Sequence, residues 1–528
     1  MGQADDRLTL PRVLARTVAD HPGVEAVVDA EVRLTYQDLG EAVHQAAKSL
    51  IALGVSHGDR VALWAPNGHR WVVAALAATG IGAILVPVNT RYKGDEARWV
   101  LKKSGARLLL VDNGFLGHDY LAMLGAGPDR TAPVPGLPAL TDVVLTGGAD
   151  TPGTTGWDAF LRLGRTVPDA TAAARSAAVA PDDPSDLLFT SGTTGRPKGA
   201  LTTHRQNLLT YRAWCGRTGL TRGDRCLIVN PLFHCFGYKA GVLACVSQGA
   251  TMVLQAVFDT DRTMSLIETE RITVLPGPPT LYTSLLDAPG RDRFDLTSLR
   301  LAVTGSAVVP VTLVRRMRAE LFPAVLTAYG LTESCGTVTA CSAGDDDETV
   351  ALTVGRPLDG VEVVVVDSAG RRLPAGRDGE ILVRGFNVML GYLDQPPNAP
   401  PAVDPDGWLA TGDIGRLDER GNLTITGRSK DMFVVGGFNV YPAEIEQVLT
   451  RHEAIAEAAV VGVPDARLGE VGRAYVTLRP GAPADSAELI GFCRGRLANF
   501  KVPREVVVLD AFPRNASGKI HKAGLRHP

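Results

Sequence analysis

The chain has 528 residues, of which 45% are hydrophobic and 21% charged, and its formal net charge is -3. That length is too great for one hydrophobic core, so two or more domains are expected, and the composition is that of a globular chain rather than a disordered one. No basic excess argues for a nucleic-acid partner, and no acidic tail offers a charged interaction arm.

The opening MGQADDRLTLPRVLARTV has no basic segment followed by an apolar run, so no secretory signal is read there. The longest apolar stretch, WVVAALAATGIGAILVPV, is broken by Gly and Pro. It reads as buried strands and helices rather than a membrane span, and the chain is expected in the cytoplasm. Helical periodicity runs from Leu39 to Leu53 and from Trp71 to Thr79. Short apolar runs at Arg60 to Trp64, Ile84 to Val88 and Arg107 to Val111 read as strands. Strands alternating with helices predict a parallel α/β sheet. Residues 125–180 are rich in Gly, Ala, Pro and Thr and read as a loose surface connection.

The alternation returns from Asp186 to Leu326, through CLIVNPL, TMVLQAV, ITVLPGPP and LRLAVTGS. From about 355 to 426 the pattern changes to short strands and frequent turns, a small β-rich subdomain. After Arg428 it is mixed. The predicted fold is therefore α/β, with a large N-terminal domain (1–428) of parallel α/β sheets plus the β-rich part. A small mobile α+β C-terminal domain (429–528) follows. The seven cysteines, at 215, 226, 235, 245, 335, 341 and 493, form no CxxC pair and read as reduced buried thiols. No His/Cys cluster has the spacing of metal ligands.

The most informative stretch is LFTSGTTGRPKG at 188–199, an apolar strand feeding a loop of six consecutive Ser, Thr or Gly residues and then a lysine. Gly192, Gly195 and Gly199 permit backbone geometries that a side chain would obstruct. The hydroxyls of Thr190, Ser191, Thr193 and Thr194, with the loop amides, can surround phosphate oxygens, and Lys198 can neutralise a β/γ phosphate as a point charge. The pattern is not GxxxxGK[ST], because Lys198 is followed by Gly199.

Three further segments carry chemistry of their own. In AYGLTES (328–334) Tyr329 offers an aromatic face for adenine, beside Gly330. Thr332 can donate to the α-phosphate, and Glu333 suits Mg²⁺, a hard cation that takes oxygen ligands and bridges phosphates. In GWLATGD (407–413) Asp413, placed after a strand, can accept both ribose hydroxyls, and Arg428 could hold the same sugar. In NPLFHCFG (230–237) His234 is a lone histidine, and Tyr238-Lys239 follow it. An unpaired buried ammonium is costly, so Lys239 is expected either in solvent or against a polar group of the substrate.

These segments, in this order and together with TGSA (304–307), GEILVRG (379–385), GRSKDMFVVGGFNVYPAEIE (427–446) and NASGK (515–519), resemble the acyl-/aryl-CoA synthetase, adenylation-domain and luciferase superfamily over nearly the whole chain. The resemblance implies that Gly305, Ser306 and Ala307 line the adenine and acyl-carboxylate region. It places His234, Tyr238, Lys239 and Gly305 at the acyl pocket. It puts Lys519 at the carboxylate and α-phosphate during adenylation only, Lys430 at the hinge of the C-terminal domain, and Gly436 and Gly437 beside the pantetheine tunnel.

The implied reaction has two halves, with ATP and Mg²⁺ used in the first and CoA as co-substrate in the second. A carboxylate attacks the α-phosphorus of ATP with loss of pyrophosphate, and the acyl adenylate then passes to the CoA thiol. NPLFHCFGYKAGVLAC, PGPPTLYTSLLD and ANFKVPREV look more closely like actinobacterial CoA ligases that act on polar cyclic propanoates from steroid breakdown. The acid itself stays open, because acyl-pocket residues are scattered along the chain. So does the acceptor: carrier-protein loading enzymes and ATP-dependent diazotases, which activate nitrite for an arylamine, share all these motifs. The assembly stays open too, with a homodimer allowed.

Overall fold

The helix Tyr36–Ala52 starts at Thr35, whose side chain accepts from the Asp38 amide while the Asp38 carboxylate accepts from the Thr35 amide. This reciprocal cap satisfies two donors that a helix start leaves open. The next helix, His69–Gly80, is buried at every position from Trp71 to Gly80, as an all-apolar surface requires. In the computed structural model these two helices share one core with strands from two sheets. The structure describes residues 8–125, 134–148, 151–190, 197–305, 309–395, 401–428, 431–435, 438–465, 468–497, 499–514 and 519–525.

Among the described residues, one sheet runs in the order Gly391–Tyr392, Lys198–Thr203, Pro184–Thr190, Ile84–Pro87, Arg60–Trp64, Leu108–Asn113, Asp142–Gly148 and Thr155–Gly156. Its centre is parallel, and its apolar strands are covered on both faces. The second sheet places Ala324–Tyr329, Leu301–Gly305, Val274–Pro276, Arg225–Ile228 and Thr251–Leu254 side by side in parallel. A four-stranded antiparallel sheet follows: Val361–Val366, Gly379–Gly385, Leu409–Leu417 and Leu423–Arg428. A fourth group of strands, led by Ile455–Asp465 and Gly469–Leu478, packs the helices Pro442–Leu449 and Ser486–Arg494 around a core of its own.

Two sequence expectations change here. Residues 125–180 are not a loose connection where described. Asp142–Gly148 extends the first sheet in parallel with Leu108–Asn113, and Trp157–Leu163 and Asp169–Ala177 are helices. The Ala and Thr content hid the Asp169–Ala177 helix, which buries only Ala172 and so has almost no apolar stripe to read. Asp413 does not follow a strand but lies inside one, Leu409–Leu417, directly opposite Arg428 on Leu423–Arg428.

Candidate active site

The phosphate-loop segment is the turn of an antiparallel pair. Pro184–Thr190 runs in, Lys198–Thr203 runs out, and Thr190 faces Lys198 across the ladder. Ser191, Gly192, Thr193, Thr194 and Gly195 lie outside the described residues, as do Ser306, Ala307, Lys430, Gly436 and Gly437. Thr190 and Lys198 therefore bracket the loop, and Trp99 donates from its indole to the Pro197 carbonyl at 3.4 Å.

Strand ends from the second sheet converge on the same place. Leu301–Gly305 and Ala324–Tyr329 are adjacent, and a Cβ on Gly305 would come within 2.4 Å of the Ala328 carbonyl oxygen. A Cβ on Gly330 would meet the Gly336 carbonyl oxygen at 2.3 Å. Both glycines are required by these close backbone approaches. The 3-10 turn Thr332–Ser334 follows, and it ends on Cys335 in the left-handed region (φ 54°), an unusual conformation for a residue with a side chain. That turn presents Thr332 and Glu333. The Glu333 Oε1 atom accepts from the Tyr392 hydroxyl at 2.7 Å and from Thr190 at 3.4 Å.

Asp413 joins this group from the antiparallel sheet. Its Oδ2 accepts from the Tyr329 hydroxyl at 2.6 Å, and its Oδ1 pairs with Arg428 at 2.8 Å. Burial, and then the Asp413 charge, push the Tyr329 phenol well above its usual pKa, so it stays a donor. The Asp413 side chain is 4% exposed and that of Arg428 is 47% exposed, so the pair opens on one side.

His234 caps the short helix Cys235–Gly237, its Nδ1 accepting from the Phe236 amide at 3.2 Å. That bond puts the proton of a neutral ring on Nε2. The Cys235 sulfur lies 3.7 Å from the same Nδ1. Burial raises the Cys235 thiol, but His234 together with the Lys239 and Lys519 charges brings it below the usual thiol value.

Lys519 comes from the far end of the chain. Its pKa is lowered, first by burial and then by Arg428, against an upward pull from Cys235, Asp413 and Glu333. The residue as a whole is nevertheless exposed. The Lys519 ammonium thus feels the charges of Arg428, Asp413 and Glu333 and the thiol of Cys235.

Tyr238 and Lys239 are placed differently from expectation. Neither is in solvent, and neither is offered to a substrate. The Tyr238 ring is fully buried edge-on against Trp71. Lys239 and Asp186 are both 0% exposed and paired at 2.9 Å, and Lys239 also donates to the Thr202 hydroxyl at 3.0 Å. The physical reason is an internal carboxylate. Asp186 sits in the strand that feeds the phosphate loop and supplies the partner a buried ammonium needs. An aspartate inside the apolar run SDLLF was the available signal. Tyr392 was also missed. It lies in a two-residue strand, too short to show any periodicity.

The residues present fit a magnesium nucleotide. Mg²⁺ is commonly held by one or two carboxylates plus phosphate oxygens. Glu333 beside Thr190 and the loop offers that set, and no cluster of three or more metal-holding side chains exists among the described residues. No helix of the described residues is long and apolar enough to cross a membrane.

Residues 14–393 match the AMP-binding enzyme family, and residues 444–519 match the AMP-binding enzyme C-terminal domain. The chain is 52% identical, over 99% of both chains, to the 3-[(3aS,4S,7aS)-7a-methyl-1,5-dioxo-octahydro-1H-inden-4-yl]propanoyl:CoA ligase of Mycobacterium tuberculosis. It is 50% identical, over 98% of both chains, to the enzyme of that name from Rhodococcus jostii. Among solved structures it resembles the anthranilate CoA ligase AuaEII in complex with anthranoyl-AMP (TM-score 0.86, 28% identity, 98% of this chain and 96% of that one). It also resembles ATP-bound MatB from Rhodopseudomonas palustris (TM-score 0.82, 32% identity, 98% of each chain). The chain belongs to the AMP-binding enzyme family and is an ATP-dependent, adenylate-forming acid–CoA ligase.

Proposed function

We propose that the acid is a propanoate carried on an oxidised fused-ring skeleton, of the kind named for the relatives from Mycobacterium tuberculosis and Rhodococcus jostii. The observation that carries this reading is identity at or above 50% along essentially the full length of both relatives. A medium-chain acyl-CoA ligase from Homo sapiens is 35% identical over 98% of this chain. The reaction is placed in the cytoplasm, in keeping with seven free, buried cysteines.

In this reading Asp413 and Arg428 hold the ribose, the Tyr329 ring stacks on adenine, and Gly305 and Gly330 let flat groups approach the backbone. His234, its Nδ1 occupied, offers Nε2–H to order the acid. Lys198 and Lys519 neutralise charge that develops on the phosphates and the attacking carboxylate, Thr332 donates to the α-phosphate, and all three act by preorganised placement rather than by covalent chemistry. Glu333 would hold Mg²⁺, which would supply further charge neutralisation at the phosphates. Closure keeps water from the acyl adenylate, a mixed anhydride with AMP as leaving group. Residues beyond Arg428 form a domain that then turns about the region of Lys430, removing Lys519 and admitting the CoA thiol along the loop of Gly436 and Gly437.

The test is pyrophosphate release with a panel of acids, with and without CoA. A fused-ring dioxo propanoate should give the highest specificity constant and a CoA thioester. A higher value for a plain medium-chain acid would overturn the substrate assignment. Turnover only with nitrite and an arylamine would overturn the acceptor.

A further inference from the structure

We propose that Tyr392 is a positioning residue that sets the metal-binding carboxylate of Glu333 and the ammonium of Lys198 in one fixed relation. The inference rests on the roles just assigned to Glu333 and Lys198. Neither the sequence motifs nor the expected reaction assign Tyr392 any part.

Its backbone is tied to both groups it serves. Residues 389–393 lie along the strand that leaves the phosphate loop. Leu390 donates to the Leu201 carbonyl at 2.9 Å, Leu393 donates to the Gly199 carbonyl at 2.8 Å, and Tyr392 faces Ala200 in antiparallel register. At the other end, Met389 donates to the carbonyl of Glu333 itself at 2.9 Å. A shift of the loop strand or of the Glu333 turn therefore moves Tyr392.

The side chain then acts in two directions. Its hydroxyl donates to Glu333 Oε1 at 2.7 Å, and its ring lies 5.2 Å from the Lys198 ammonium, within cation–π range. Oε1 also takes the Thr190 hydroxyl, whereas Oε2 accepts no hydrogen bond among the described residues. Locking one carboxylate oxygen aims the other, and a single rotamer costs a cation less ordering than a free one. The ring face meanwhile gives the exposed Lys198 ammonium a favoured position beside the strand that leaves the loop.

Two variants separate the two contacts. Tyr392→Phe deletes the hydroxyl and keeps the ring; Tyr392→Leu deletes both. Mn²⁺ serves as probe, with free Mn²⁺ read by paramagnetic resonance in the presence of enzyme and a non-hydrolysable ATP analogue. Metal-free binding of the analogue is read by calorimetry, and Glu333→Gln is run alongside.

Tyr392→Phe should weaken Mn²⁺ binding about tenfold and leave metal-free nucleotide affinity unchanged. Tyr392→Leu should add a severalfold loss of metal-free affinity. If Glu333→Gln weakens Mn²⁺ binding and Tyr392→Phe does not, the positioning role is wrong while the Glu333 assignment stands. If Glu333→Gln itself leaves Mn²⁺ binding intact, the assignment of Glu333 falls and takes the proposal with it. Tyr392→Phe alone decides the carboxylate contact should Tyr392→Leu fold poorly.

Discussion

Asp186 and Asp413 each face a cation inside the large domain, and the two pairs are built to opposite ends. Around Asp186 both carboxylate oxygens have two protein partners each. Lys239 pairs with one oxygen and Thr202 donates to the same oxygen, while Ser185 and Asn207 donate to the other. Both charged side chains are fully buried. Among the described residues the Asp413 carboxylate engages Tyr329 and Arg428, and Arg428 keeps about half its side-chain surface in solvent. The first pair is saturated and closed; the second is organised yet open on one side. A buried pair contributes little net stability but becomes strongly destabilising when one partner is removed. An open pair can exchange or add partners, which is what a ligand site needs. The contrast teaches that a charge motif beside the phosphate loop is not enough to assign function: the number of partners already in place decides.

The largest effect tests the open region. Lys519 reaches the Asp413 and Glu333 neighbourhood from the C-terminal part of the chain. Lys519→Ala should slow adenylation by about 10²–10³, the usual loss for one preorganised donor, with thiolation of a supplied acyl adenylate largely intact. Rapid-quench measurement of each half reaction checks this. Equal losses in both would mean that Lys519 stays in place throughout and that the domain does not turn.

The closed pair gives the next effect. Lys239→Met leaves the Asp186 carboxylate buried without its cation and should cost about 3–5 kcal/mol of folding stability. Adding Asp186→Leu should return most of that loss, because the uncompensated charge is then gone. Denaturant unfolding midpoints at unchanged slope are the readout. The ranking of acids should not change in Lys239→Met. A loss specific to ketone-bearing acids with stability unaffected would return Lys239 to the substrate pocket and break the comparison.

Much of the architecture was legible because it rests on local pattern. Arg60–Trp64 matches its apolar run residue for residue, since a strand covered on both faces reads as unbroken hydrophobicity. The helix over Trp71 to Thr79 was legible for the same reason, and its ends moved by two residues at the start and one at the finish. What failed was whatever depended on partners distant in sequence. Lys239 and Asp186 are 53 positions apart, and neither residue announces the other. Likewise Tyr392 reaches Glu333 across 59 positions. The strand Asp142–Gly148 ends on Thr-Gly-Gly, which reads as a turn, so its pairing with Leu108–Asn113 identifies it. The phosphate reading of 190–198 rests on composition alone, because phosphate binding selects small hydroxylated and glycine residues directly, and Ser191 to Gly195 lie outside the described residues.

A smaller effect sharpens the open side. Asp413→Asn keeps an acceptor for Tyr329 but removes the charge that pairs with Arg428. A hydrogen bond to a charged group contributes about 1.5–3 kcal/mol, so ATP affinity should fall roughly ten- to a hundredfold. Folding stability should fall less than in Lys239→Met, since Arg428 retains access to water. Calorimetric titration with an ATP analogue, beside denaturant unfolding, compares the two. A stability loss as large as that of Lys239→Met with unchanged nucleotide affinity would make Asp413 a second structural pair.

The smallest effect concerns how Arg428 acts on Lys519. Burial disfavours the Lys519 ammonium first, and Arg428 disfavours it next, so its pKa lies below the ordinary lysine value despite Cys235, Asp413 and Glu333. If adenylation needs the ammonium form, the rate at saturating ATP and acid should decline as pH rises through that lowered pKa. Arg428→Gln removes a positive neighbour, which lifts the Lys519 pKa and should move this alkaline limb to higher pH. It also frees the Asp413 charge from its partner, and that acts in the same direction. Burial, the larger cause, remains, so the limb should still fall short of where a solvated lysine would place it. Pyrophosphate release followed across pH in both proteins checks the displacement. A limb that stays where it was, or moves to lower pH, would show that Arg428 does not reach Lys519 in the working enzyme. The open pair would then act on the nucleotide alone.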